Sequence, residues 1–335
     1  MVRVACIGAG YFSQFHIGSW RRISSVDLVG IADLDPDILT RSDVKGYIDA
    51  AAMICETRPD VLDIITPPGV QAEMIRLGIA EAVPTIICQK PFCGSLAEAE
   101  AITQEAEAAG IRLVVHENFR FMPWYRLLKK AIEENTIGTF HQATFRLRPG
   151  DGQGAHAYLD RQPYFQNMPR FLVEETAVHW IDTFRFLLGD PISVYADLCQ
   201  LNPVIAGEDA GFVIFDYGEG RRALFDGNRH LDHASDNLRR TMGEGLFEGS
   251  LGTLSLFGDG RIEKRSFGEI APQVLLDADA WDGFGGDCVH VLQSHVVAGV
   301  LEGAPIENDA RHYLEVLRIR DAIYTSAARG AKITL

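Results

Sequence analysis

The chain has 335 residues, 47% of them hydrophobic and 23% charged, which suits two soluble globular domains with ample material for buried cores. A formal net charge of −15 argues against nucleic acid or an anionic membrane surface as partner, since both reward basic faces. The six cysteines are scattered and form no CxxC pair, so no metal site and no disulfide framework is expected.

The opening MVRVACIGAG runs straight into a strand pattern with no charged-then-apolar leader, so a cytoplasmic location is expected. No apolar run approaches the roughly 18 to 20 residues of a membrane-spanning helix. Up to about residue 118, VRVACIG, DLVGIAD, VLDIIT, TIIC and RLVVHEN read as strands separated by helical patterns. One of these, SLAEAEAITQEAEAAG, opens with Ser95 as N-cap and ends at Gly110. Continuous apolar strands alternating with helices predict a doubly wound parallel sheet, assigned to residues 1–119.

Gly8 and Gly10 follow the first strand directly, with Ser13 in the third position of a GxGxxG pattern. Gly8 can make the tight turn, and Gly10 lets backbone N–H groups approach a pyrophosphate at a helix N-terminus. A second strand ends at Asp33, which can accept hydrogen bonds from a ribose diol; Leu34 and Asp35 follow, with no arginine for a 2′-phosphate, which favours NAD over NADP.

After residue 120 the strands lengthen and alternate: TFHQATFRLR, GFVIFDYG, RRALFDGNR and GTLSLFGDGRIEKR. EETAVHWIDTFRFLLG reads as one helix stopping at Gly189, and NDARHYLEVLRIRDAIYTSAARG as another. A second α/β domain over 120–335, with a large and mainly antiparallel open sheet, is expected. The stretch 150–168 is the candidate irregular functional loop.

The ordered set GAGYFS, DIITPP, CQKP, ENFRFMPWYRLLKKAIEENTIGTF, ETAVHWIDTFRFLLG and AIYTSAARGAKITL resembles the Gfo/Idh/MocA oxidoreductases along nearly the whole chain. The resemblance implies a Rossmann domain, a second domain whose open sheet makes a homodimer or homotetramer, and NAD(P)-dependent hydride transfer at a sugar or polyol carbon. YLDRQPYF, NMPRFLVEET, NPVIAGED and FDGNRH are similar to the subgroup that contains D-apiose dehydrogenase, which acts on the anomeric hydroxyl of a pentose to give a lactone.

The resemblance implies that Lys90, His179 and Glu175 are catalytic. His179 is the first choice of base with Lys90 bonded to the same hydroxyl; the alternative makes Lys90 the base. The spacing of Glu175 and His179 puts both on one face of a helix. The cofactor set expected is Gly8, Gly10, Tyr11, Phe12, Asp33, Leu34, Thr66, Pro67, Gln71, Gln89, Lys90 and Asn118. Two members depart from the family pattern: Gln89 stands where relatives carry glutamate, and Gln71 where they often carry histidine. Beside the catalytic three, Asn118, Arg161, Gln162, Tyr164, Asn228 and Arg229 are expected to bind substrate. Two competing readings are an NAD-retaining glycoside hydrolase of the same family and a dinucleotide-binding regulator without turnover.

Overall fold

A computed structural model describes residues 1–40 and 42–335. The chain divides into two units, one made of Met1–Asn118 with Val289–Glu315 and the other of Phe119–Cys288 with Val316–Leu335.

In the first unit six strands form one parallel sheet: β1 (Val2–Ile7), β2 (Val26–Ala32), β3 (Gly46–Tyr47), β4 (Val61–Ile64), β5 (Thr85–Gln89) and β6 (Arg112–His116). Every residue of β4 and β5 is buried, as strands covered on both faces require. The order β3-β2-β1-β4-β5-β6 reverses direction between β1 and β4, and the carboxyl ends of those strands flank the crevice where such sheets bind ligands. The crossovers are α1 (Ser13–Trp20), α2 (Pro36–Leu39), α3 (Ala50–Thr57), α4 (Pro68–Ala80) and α5 (Leu96–Ala108). Ser95 caps α5 by accepting from the Glu98 N–H at 3.2 Å.

Residues 289–315, within the second domain expected over 120–335, group with the first unit. Their attachment is a set of backbone pairings that hydropathy does not announce. The Val115 N–H donates to the Asn308 carbonyl at 2.8 Å, Val114 bridges Asp309, and Asn308 Nδ2 donates to the Glu117 carbonyl at 2.5 Å.

The second unit is built on a nine-stranded sheet of β7 (Phe140–Leu147), β8 (Ser193–Cys199), β9 (Ala210–Asp216), β10 (Arg222–Asn228), β11 (Gly243–Gly249), β12 (Gly252–Leu256), β13 (Ile262–Ser266), β14 (Gln273–Leu276) and β15 (Ile333–Thr334). Its order is β14-β13-β12-β11-β7-β10-β9-β8-β15, antiparallel except where β10 runs parallel to β7. Helix α6 (Pro123–Glu133) turns Trp124, Tyr125, Leu128 and Ala131 inward. Helix α7 (Val178–Leu188) covers one sheet face, with Trp180 4.5 Å from Phe145 and Phe184 5.5 Å from Phe215 between ring centroids. The opposite face is open along a row that register defines: Tyr195 pairs with Ile214, Ile214 with Leu224, Leu224 with Thr144 and Thr144 with Leu246.

Residues 174–189 do not form the single α-helix expected. Leu172–Ala177 are a π-helical turn, and α7 starts only at Val178. That turn is held from outside: Glu208 Oε1 accepts from the Phe171 and Val173 N–H groups at 3.1 Å each and from the Tyr324 hydroxyl at 2.7 Å. Among the described residues no helix is long and apolar enough to cross a membrane.

Candidate active site

The dinucleotide cradle is mostly backbone. Gly8 has φ +98°, and a Cβ there would lie 2.6 Å from the Ile65 carbonyl oxygen, so the β1 turn admits only glycine. At Gly10 a Cβ meets nothing within 4 Å, leaving open space above the turn. Ser13 is buried and its hydroxyl donates to the Gly10 carbonyl at 2.6 Å, tightening the turn where the pattern has its third glycine. No side chain caps α1, although the Ser13 and Phe15 N–H groups donate to the Gly10 and Phe12 carbonyls at 3.1 Å each. Asp33 accepts the Ala9 N–H at 2.7 Å on one oxygen and the Asp35 N–H at 2.9 Å on the other. A second lone pair on each oxygen stays available to a ribose diol.

Thr66 Oγ1 and Asn118 Nδ2 are among the buried polar atoms of this unit that have no protein partner. A buried donor or acceptor left unmade costs about 1–3 kcal/mol. With the cradle and the uncapped helix, they fit a bound dinucleotide. Tyr11 and Leu34 are exposed, Leu34 at 87%, while Phe12 is half-buried and packs 5.2 Å from Phe15. Pro67 immediately precedes α4.

Two expected cofactor contacts face elsewhere. Gln71 is fully buried; its Nε2 donates to the Thr66 and Gln89 carbonyls at 3.1 and 2.9 Å, and its Oε1 accepts the Cys93 N–H at 2.7 Å. It clamps the loop that carries Lys90 from both sides, a protein-bracing role in place of the ligand contact expected. Gln89 also turns inward: Oε1 accepts the Lys90 N–H at 2.9 Å while Nε2 faces His16 Nε2 at 3.3 Å. Lys90 itself is half-buried, and the bond to Pro91 is cis.

In the second unit the polar set is made of side chains. His179 opens α7 and lies flat on Phe119, centroids 3.8 Å apart and planes 4° from parallel, which fixes the imidazole plane. Glu175 sits in the π-helical turn, its N–H donating to the Phe171 carbonyl at 2.8 Å. The turn between them is wound differently from the α-helix their spacing suggested. Tyr164 is 54% exposed and accepts from Gln162 Nε2 at 3.1 Å. Packing around its phenol, and next the Glu175 carboxylate, push its pKa up.

Arg229 occupies a different place from the one expected. It is 2% exposed and points away from solvent, Nε donating to the Tyr158 hydroxyl at 2.7 Å, Nη1 to Thr176 Oγ1 at 2.5 Å and Nη2 to Asp151 Oδ2 at 2.9 Å. The rings of Phe171, Tyr158 and Phe165 surround its guanidinium at 4.9, 5.1 and 5.8 Å. Burial pushes the Asp151 carboxyl up, but Arg229 and then Arg161 outweigh it and hold it below the usual range. Arg161 Nη2 reaches Asp151 at 3.1 Å, so it too is tied into this cluster. Tyr158 keeps a φ of +71°, a conformation costing about 1–3 kcal/mol for a bulky residue, held by the ring packing and by Arg229. The cluster joins the residue after β10, the loop from Asp151 and the π-helical turn, where Thr176 stands next to Glu175. Asn228 Oδ1 accepts the His230 N–H at 2.9 Å. Sequence reasoning passed over Asp151 and Thr176, which carry no motif; Asp151 showed only as a charge within a glycine-rich run.

Among the described residues no three histidine, cysteine, aspartate or glutamate side chains converge to hold a metal ion.

Comparison with known proteins agrees with this geometry. Residues 2–117 match the Gfo/Idh/MocA oxidoreductase family with its NAD-binding Rossmann fold, and residues 125–245 match the Gfo/Idh/MocA C-terminal domain. The chain is 31% identical to a D-apiose dehydrogenase of Paraburkholderia graminis, over 99% of this chain and 89% of that one. It is 29% identical to a D-apiose dehydrogenase of Rhizobium rhizogenes, over 99% and 96% of the two chains. A crystal structure of an oxidoreductase from Agrobacterium radiobacter in complex with NAD+, L-tartaric acid and magnesium superposes with a TM-score of 0.89 at 26% identity, covering 99% of this chain and 98% of that one. A levoglucosan dehydrogenase in complex with NADH and levoglucosan shares the fold at a TM-score of 0.83 and 18% identity, covering 99% of this chain and 99% of that one. The glycine turn, the Asp33 acceptor and the two domain matches make the chain a member of the Gfo/Idh/MocA family of NAD-binding oxidoreductases.

Proposed function

We propose that the protein is an NAD-dependent dehydrogenase that oxidises a hydroxyl of a sugar or polyol, with the anomeric hydroxyl of a pentose such as D-apiose, giving a lactone, as the favoured case. The observation that carries this reading is the match along 99% of the chain to two D-apiose dehydrogenases. When bound, the cofactor supplies the hydride acceptor. The chain's own residues do the rest. Gly8, Gly10 and the start of α1 hold the diphosphate, and Asp33 takes the ribose diol.

The hydroxyl proton must leave as hydride leaves carbon, so a base is needed within about 2.6–3.2 Å of that oxygen. His179 takes this role, its ring plane set by Phe119. Lys90 is the alternative base, and its ammonium can favour a developing negative charge on a hydroxyl oxygen. Glu175 and Tyr164 bind further hydroxyls. Arg229 acts through Asp151 and Thr176 as a positioning residue, and Gln162 orients Tyr164. Asn118, with its open Nδ2, binds cofactor or substrate.

The open sheet face supports a homodimer or homotetramer. Its row Tyr195, Ile214, Leu224, Thr144, Leu246 is broken only by the Thr144 hydroxyl, and Phe212 beside it is 51% exposed. Six cysteines outside any disulfide suit a reducing, cytoplasmic setting.

A panel of pentoses, hexoses and polyols offered with NAD tests the reading. Net NADH formation with a sugar, best with an apiose-like pentose, is the expected result. Sugar release from glycosides without net NADH would instead assign a cofactor-recycling hydrolase, and NAD binding with no turnover on either panel a regulator.

A further inference from the structure

Beneath the lysine loop the first unit buries a column of polar side chains that the dinucleotide cradle does not use. His16 from α1, Asp63 from β4, Gln89 from β5 and His116 from β6 meet there, with His16 and Asp63 wholly inaccessible to solvent. His16 Nδ1 lies 2.8 Å from Asp63 Oδ2, and Trp20 Nε1 donates to the same oxygen at 2.7 Å. His16 Nε2 faces Gln89 Nε2 at 3.3 Å, and Gln89 Oε1 accepts the Lys90 N–H at 2.9 Å.

Donor and acceptor rules fix every hydrogen along this line. The Lys90 N–H can only donate, so the amide atom facing it is the oxygen and the one facing His16 is the nitrogen. An amide nitrogen can only donate, so His16 Nε2 accepts. Trp20 Nε1 can only donate, which makes Asp63 Oδ2 an acceptor and puts the single imidazole hydrogen on Nδ1. The line therefore runs Lys90 N–H to Gln89, Gln89 to His16, His16 to Asp63.

We propose that Gln89 is a positioning residue for Lys90, braced by His16 and Asp63, and that its amide keeps this brace free of proton exchange where a carboxylate at the same place would make it titrate. The inference rests on the functional reading only in assigning Lys90 to catalysis; the brace itself is a property of the unit. Other groups facing His16 and Asp63 stay silent. His116 stacks 4.0 Å from the His16 ring with neither nitrogen partnered, and burial first, then His16, hold its pKa well below the usual value. The Cys6 and Cys88 thiols are pushed well up by burial, with Asp63 adding to both. Asp63 supplies the negative charge of the column, and Phe12 closes it with a ring edge 5.6 Å from His16.

Gln89→Glu reverses the logic. A carboxylate cannot donate to His16 Nε2, so it draws a second proton there, and an imidazolium sits between two carboxylates. Nitrogen NMR of the full-length protein, with the His16 signal identified by its loss in His16→Phe, reads this directly. The expected wild-type result is a hydrogen on Nδ1 with Nε2 accepting, and hydrogens on both nitrogens in Gln89→Glu.

The positioning role is read from turnover. Gln89→Leu leaves the Lys90 N–H without its acceptor and is expected to lower kcat about tenfold with the NAD dissociation constant changed less than about twofold. Gln89→Glu restores that acceptor and is expected to recover kcat near pH 6, losing it again as His16 gives up its extra proton. Gln89→Leu that weakens NAD with kcat intact would make Gln89 a cofactor contact and overturn the proposal. So would a wild-type His16 that carries two protons, a measurement needing no substrate and standing even if Gln89→Leu fails to fold. If no sugar is oxidised, the functional reading fails while the NMR result still decides the brace.

Discussion

In the first unit the groups offered to a ligand are mostly main chain: the Gly8 turn, the open space above Gly10, the uncapped start of α1, and Asp33 fastened to the Ala9 N–H. In the second unit they are side chains held by other side chains, with His179 lying on Phe119 and the turn of Glu175 pinned through Thr176 to Arg229. A backbone site needs only the right φ at a few positions and tolerates change around it. A side-chain site depends on every partner in the network, so damage should spread further there than in the cradle.

Lys90 is the exception in the first unit, a side chain whose loop is clamped by Gln71 and Gln89. Lys90→Met should give the largest loss, about a thousandfold in turnover, because a donor to the developing alkoxide disappears from the reacting atoms. NAD should still bind, since cradle and helix are untouched. Near-normal turnover in a steady-state assay, with NAD saturating, would remove Lys90 from the mechanism.

Arg229→Met tests the network. It leaves Asp151 largely buried without its main counter-charge and Thr176 without its donor, and breaking such a pair costs about 3–5 kcal/mol. Denaturant unfolding should show that loss, and kcat should fall in whatever protein remains folded. The pH dependence carries the sign. Since Asp151's carboxyl is held low in the fold, its contribution is fully present above the ordinary value of about 3.9 and is lost as pH falls through the lowered one. Wild type should thus lose more stability than Arg229→Met on acidification below about pH 4. Parallel curves would show that the ion pair adds nothing.

This contrast also explains what the sequence made legible. Backbone requirements leave marks in residue type: glycine where φ is positive, an acidic residue at a strand end, Ser95 before a helix. Hence the parallel sheet, the cradle and the family pattern could be read in order. Side-chain networks leave no such mark. Arg229 was expected to bind substrate because an accessible arginine and a buried one have the same sequence signature. Gln71 and Gln89 carry no mark of their protein partners either, since an amide can serve ligand or protein equally well. The return of residues 289–315 to the first unit rests on main-chain pairings made far along the chain, and no local pattern encodes them. The π-helical turn before α7 escaped too, because Glu208 and Tyr324 impose it from outside.

A pair of glycine substitutions sharpens the backbone side of the comparison. Gly8→Ala forces a Cβ to within 2.6 Å of the Ile65 carbonyl at a φ of +98° and should lower stability by about 1–3 kcal/mol together with NAD affinity. Gly10→Ala meets no protein atom within 4 Å, so the melting temperature should hold while NAD affinity falls, the added methyl occupying space meant for the diphosphate. Calorimetry with and without NAD separates the two. If Gly10→Ala bound NAD normally, the diphosphate would have to lie elsewhere.

The smallest effect is expected at the rim of the second unit's polar set. Tyr164 is half exposed, and its hydroxyl takes one hydrogen bond from Gln162 while lying in the field of Glu175. With its pKa pushed up, the phenol stays protonated across the working range and can donate but not act as a base. Tyr164→Phe removes that donor and leaves the ring, so one exposed hydrogen bond worth about 0.5–1.5 kcal/mol is lost. KM should rise up to about tenfold with kcat unchanged, the signature of binding shared equally by ground and transition states. A fall in kcat at constant KM would instead place Tyr164 on the reacting oxygen, and the proton step would then have to be reassigned between it and His179.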